Sequence, residues 1–145
     1  MAMAESTRST KSGFSKEERA AMKERAKEVK LKETKAQSAK SVLAKIGEMK
    51  EPDRSIATRL HEIVLEVEPD VLSKLWYGMP AYVRDDKIVC FFQSAEKFET
   101  RYSTFGFNDS ANLDDGNIWP VAYAVQKLTK ADEKTIRARI EQAFS

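Results

Sequence analysis

At 145 residues the chain suits one domain with a modest core and argues against a second. Its single cysteine, Cys90, cannot form an intrachain disulfide, and there is neither an apolar run of about 18 residues nor a basic-apolar-small leader pattern, so the expectation is a cytoplasmic protein without a membrane span. The net charge of +2 conceals an asymmetry: residues 1–50 hold 13 Lys and Arg against 7 Asp and Glu, while residues 51–145 hold 12 against 16. A basic arm over residues 1–36 and an acidic domain over residues 37–145 follow from that division.

Residues 1–13 are too poor in apolar side chains to fold and are expected to be disordered. Ser15-Lys16-Glu17-Glu18 matches a capping box, with Phe14 at the staple position, and predicts a helix from Lys16 to about Lys32. Its apolar stripe of Ala20, Met22, Ala26, Val29 and Leu31 is thin. Polar residues 34–40 then suggest a break. Val42, Leu43, Ile46 and Met49 recur at helical spacing as a short second helix ahead of Pro52. A third helix, capped by Asp53, carries the best amphipathic signal of the chain, Ile56, Leu60, Ile63, Val64 and Val67, and stops before Pro69. The helices flanking Pro52 are expected to form a hairpin over a sheet.

The period then shortens to two. In Trp76-Tyr77-Gly78-Met79-Pro80-Ala81-Tyr82-Val83, Gly78 tolerates positive φ, Pro80 fixes its own φ and Met79 is pushed to extended geometry, which predicts a sharp turn between two extended pieces. Ala81 to Val83 and Lys87 to Phe92 flank the polar turn Arg84-Asp85-Asp86 as a β-hairpin. Within it, Ile88, Cys90 and Phe92 should face one way and Val89 and Phe91 the other, on a strand covered on both sides. Phe98 to Phe107 reads as another strand and Ile118 to Val125 as the last, with Pro120 at an edge or bulge. Thr129-Lys130-Ala131-Asp132 opens a final helix with Ile136, Ile140 and Phe144 on one face. The fold class is therefore α+β, a single antiparallel sheet of about five strands packed with helices.

The Trp76 to Tyr82 stretch, the strand Lys87 to Phe92, Lys97-Phe98 and the segment from Tyr102 to Gly106 together resemble the YdhG-like family of small bacterial domains, over residues 40 to 144. Members are mostly of unknown function, and some are described as frataxin-like intracellular iron chaperones. The resemblance thus implies a YdhG-like α+β domain and an iron chaperone role, with no ligand motif to transfer.

The residues themselves offer little chemistry. His61 has no recognisable nucleophile or orienting acid beside it. Cys90 lies in the most apolar run and reads as a packed thiol, and one Cys with one His cannot complete a zinc site. Asp109, Asp114 and Asp115 offer the oxygen ligands that hard cations prefer, without the EF-hand spacing, and turn chemistry accounts for them equally well. They are the candidate ligands for iron, bound weakly if at all. No Gly-rich phosphate loop occurs. The basic arm interleaves its lysines with Glu24, Glu28 and Glu33 and has no aromatic after Phe14, which argues against nucleic acid. Trp76, Tyr77, Met79, Tyr82 and Trp119 could line a ligand cleft or fill a core corner. Two readings lead, an iron chaperone, or a module that binds a small ligand or a protein partner through that cleft, with a homo-oligomer as the other expected partner; an enzyme ranks third for want of an assembled acid, base or nucleophile.

Overall fold

The computed structural model describes residues 15–145, without the side chains of residues 31–33. The expected disorder of residues 1–13 and the Phe14 staple lie outside the described residues. Two units divide the chain, Met1–Ala36 and Gln37–Ser145.

Helix α1 runs unbroken over Lys16–Gly47. The Ser15 amide donates to Glu18 Oε1 and the Glu18 amide to Ser15 Oγ, both at 3.1 Å, so the capping box is formed. The expected break at 34–40 does not occur. That run is polar but rich in Ala, Lys and Gln and free of Gly and Pro, so helix propensity carries α1 across it and the two expected helices are one.

In the second unit, the last turns of α1 bury Val42 and Ile46, and α2 (Asp53–Val67) buries Ile56, Ala57, Leu60, Ile63 and Val64 into the same core. Asp53 does not cap α2. Glu51 serves its first turn instead, accepting from the Ser55 amide at 3.0 Å and the Ser55 hydroxyl at 2.8 Å. The strands β1 (Leu72–Trp76), β2 (Met79–Arg84), β3 (Lys87–Gln93), β4 (Ser103–Phe107) and β5 (Ala122–Val125) form one antiparallel sheet in chain order, as the alternation predicts. Between β3 and β4 lies the single turn of α3 (Ala95–Phe98), and the chain closes with α4 (Lys130–Ala143). Thr129 and Asp132 make a reciprocal capping box at its start.

Both early hairpins turn on two residues with positive φ, Tyr77 (51°) with Gly78 (77°), and Asp85 (52°) with Asp86 (63°). This geometry matches the right-handed twist of the flanking strands. Pro80 stands ahead of the β2–β3 ladder, which begins at Ala81 opposite Phe91.

The alternation expected of β3 is broken. The register steps from Tyr82–Cys90 to Val83–Ile88, leaving Val89 as the extra residue of a bulge. Consecutive Val89 and Cys90 consequently both enter the core with Phe92. The strand expected from Phe98 starts only at Ser103, because Ser94 caps α3 and left-handed Glu99 ends it. Likewise β5 starts at Ala122 and not at Ile118, with Pro120 ahead of this edge strand.

Helices α2 and α4 pack on the sheet face that carries Tyr82, Phe92, Phe105 and Val125. Ion pairs from Arg59 to Glu133 (2.9 Å) and from Arg137 to Glu66 tie the two helices together. On the opposite face the Trp76 and Phe91 rings meet edge to face, 5.3 Å between centroids. Phe91 lies over Gly106, where an added Cβ would come within 2.4 Å of the ring. On this face the Trp76 and Phe91 rings shield the central strands, while Ala122 and Ala124 on β5 are exposed.

Candidate functional site

A hollow of about 140 Å³ opens where the β1–β2 corner, the end of α1 and α3 meet. Met79, Pro80 and Phe92, all buried, make its floor, Met49 and Phe98 its apolar walls, and Lys45, Glu48, Glu96 and Lys97 its rim. Each wall has a local cause. The Tyr77-Gly78 turn brings Met79 and Pro80 to the start of β2. Ser94 Oγ accepts the Lys97 amide at 3.4 Å and starts α3, and the turn ends where the Thr100 amide donates to the Ala95 carbonyl at 2.9 Å. So placed, α3 lays Lys97 across Gly78, where an added Cβ would fall 1.9 Å from the Lys97 Nζ. Any side chain at 78 would displace that ammonium.

The rim charges differ in their partners. Lys45 pairs with Glu48 at 3.6 Å, and Glu96 with Lys50 at 3.1 Å. Among the described residues Lys97 has no ion-pair partner, and its ammonium lies 5.7 Å from the Phe98 ring centroid. The hollow is thus apolar below and presents one unpaired cation above.

Asp53 fixes α3 from behind and is 5% exposed. Its Oδ2 accepts from Ser94 Oγ at 2.7 Å and from the Glu96 amide at 3.1 Å, and its Oδ1 from Ser103 Oγ at 2.8 Å. Burial pushes its pKa up, but the hydrogen bonds from Ser94, the Glu96 amide and Ser103 outweigh it, so the carboxyl lies below its usual range. A larger hollow of about 410 Å³ lies beside Asp53, lined by Lys50, Glu51, Pro52, Glu96, Glu99 and Thr100 among others.

The most versatile side chains are sealed in the core. His61 Nδ1 lies 2.9 Å from the Tyr82 hydroxyl, and Cys90 is Tyr82's partner across the β2–β3 ladder. Burial lowers the pKa of His61 against a small opposing effect of Glu62, pushes the Tyr82 phenol well above its usual range with Cys90 adding to it, and raises the Cys90 thiol. All three are held neutral near pH 7, with exposures of 5%, 1% and 0%. His61 carries a prediction. A histidine whose folded pKa is depressed contributes stability that is complete above its unfolded value, about 6.5, and is lost as pH falls from there through the folded value. Thermal melts at pH 8 and pH 5 should show wild type losing stability on acidification, and His61→Gln should lack that component. An equal pH response in both proteins would mean that His61 accepts a proton without strain.

The residues singled out in the sequence are dispersed. Met79 lines the hollow, whereas Tyr82 is in the core, Trp76 is half-buried against Phe91, Tyr77 is 80% exposed, and Trp119 packs against the core from the segment before β5, at the opposite edge of the sheet from β1. Asp109, Asp114 and Asp115 are exposed on the β4–β5 loop. Among the described residues no three His, Cys, Asp or Glu side chains group as metal ligands. Nor is any helix among them long and apolar enough to cross a membrane. Met49 reads as part of a helical stripe and Phe98 as the start of a strand, so patterning assigns neither of them, nor Lys45 or Lys97, to a site, yet these four make most of the hollow's wall. The signal for α3 was Ser94 followed by Ala95-Glu96-Lys97, an N-cap residue with an acid in the first turn.

Compared with family models, with curated proteins and with solved structures, the chain matches none.

Proposed function

We propose that the second unit is a non-enzymatic binding module whose hollow at the Gly78–Pro80 corner takes a small apolar group bearing a carboxylate. The observation that carries this reading is Lys97, an ammonium held over Gly78 at the mouth of an apolar hollow and without an acidic partner among the described residues. Size selects the ligand: about 140 Å³ is below the 300–1,000 Å³ of ordinary ligand pockets and close to the 150 Å³ that accommodates a benzene ring. The occupant is therefore one ring or one branched chain, either as a free carboxylic acid or as the terminal residue of a peptide. The iron chaperone reading rests on the YdhG-like resemblance and retains Asp109, Asp114 and Asp115 as its exchangeable oxygen ligands.

The test is an amide-resolved NMR titration of the whole chain with phenylacetate and with phenylacetamide. Phenylacetate should shift Gly78, Met79, Phe92 and Lys97, the amide should bind more weakly, and Lys97→Met should erase the difference. No shift at these residues removes the cleft reading. Ferrous iron added anaerobically, if it perturbs Asp109, Asp114 and Asp115 where phenylacetate perturbs nothing, replaces it with the iron reading.

A further inference from the structure

Because α1 is one regular helix, the charges interleaved along its sequence separate in space. At about 100° per residue, Lys16, Arg19, Lys23, Lys27 and Lys30 fall at i, i+3, i+7, i+11 and i+14, within an arc of about 80°. Glu17, Glu24 and Glu28 fall together on a flank centred about 120° away. The five cations are exposed, and among the described residues none of them makes an ion pair with an acid. They form a continuous positive stripe about 21 Å long at 1.5 Å per residue.

We propose that this stripe binds the phosphate backbone of a nucleic-acid duplex without reading sequence. Charge complementarity selects a polyanion. A duplex presents a phosphate on each strand about every 3.4 Å, so a stripe of this length can meet five phosphates along its course. Residues 16–30 contain no aromatic side chain to stack on bases, so the contact is to backbone and not to single strands. An anionic membrane is a poorer fit. On the other flank of the stripe, about 110° from its centre, the larger apolar groups among the described side chains of residues 16–30 are Met22 and Val29, each about half exposed, too little to insert between lipids.

The full chain is titrated into a fluorescent 20-base-pair duplex and followed by anisotropy from 50 to 200 mM salt. Wild type should bind, with a log–log salt slope of about −4.5, the value of −0.9 per phosphate for five contacts. Lys23→Gln/Lys27→Gln/Lys30→Gln should weaken binding at least tenfold at 50 mM salt and flatten the slope by about 2.7. Glutamine maintains the helix, which far-ultraviolet circular dichroism checks. Arg25→Gln/Lys35→Gln/Lys40→Gln removes the same charge off the stripe and should cost under threefold. An equal loss in both variants reduces the effect to net charge and overturns the proposal. So does an absence of duplex binding by wild type, or binding to phosphatidylserine vesicles in its place.

Discussion

Asp53→Ala should lower the stability of the domain by about 3 kcal/mol, the largest loss expected of any polar substitution. The aspartate is the acceptor for two hydroxyls and one amide, Ser94, Ser103 and Glu96. Removing it strands donors on the buried Ser94 and Ser103, at about 1–3 kcal/mol for each unsatisfied group and less than additively. Asp53→Asn keeps the shape but turns one acceptor into a donor facing donors, so it should fall between alanine and wild type. The pH dependence has a definite sign. A carboxyl with a depressed folded pKa contributes stability that is complete above its unfolded value, about 3.9, and is lost as pH falls through the folded value. Urea midpoints from pH 7 to pH 2 should therefore drop on the acid side in wild type, with part of that drop missing in Asp53→Asn. A midpoint for Asp53→Ala within error of wild type at pH 7 would show that the three donors find other partners.

The same aspartate shows where the sequence stops being legible. Its partners lie 41, 43 and 50 residues away, and Asp53 stands where a helix cap is expected, so the local interpretation is the natural one and is wrong. The signals that succeed are those whose cause is local: the capping boxes at Ser15 and Thr129, the polar turn at Asp85-Asp86, and the apolar stripe of α2. Failures occur where a ladder or a distant side chain decides. The bulge at Val89 is invisible until β2 pairs with β3, and α3 is one turn whose cap is itself held by Asp53. Continuity of α1 through residues 34–40 was concealed by the habit of reading polar runs as breaks, although that run contains no breaker. For the hollow, the alternation locates Met79 at a corner, but Lys45, Met49, Lys97 and Phe98 arrive from segments whose meeting only the completed sheet specifies.

Those converging segments make Gly78 the position where fold and proposed function are most tightly joined. Its φ of 77° in a two-residue hairpin turn is a conformation that β-branched residues scarcely adopt, so Gly78→Val should cost about 1–3 kcal/mol. The alternative cause of such a loss is the contact with Lys97, whose ammonium lies where the new Cβ would be. Lys97 is long and ends at the surface, so it can swing away at little cost, and backbone strain should dominate. Two further variants separate the causes. Gly78→Asn displaces Lys97 as much but tolerates left-handed backbone, and should lose less than half of what valine loses. In Gly78→Val/Lys97→Ala the contact is gone and the strain remains, so the double variant should stay within about 0.5 kcal/mol of the sum of the single changes. Both substitutions at 78 should weaken phenylacetate binding through displacement of Lys97, whatever their stability. If Gly78→Val keeps wild-type stability, the turn relaxes to an ordinary conformation. If it recovers fully on Lys97→Ala, the glycine is there for the lysine and not for the turn.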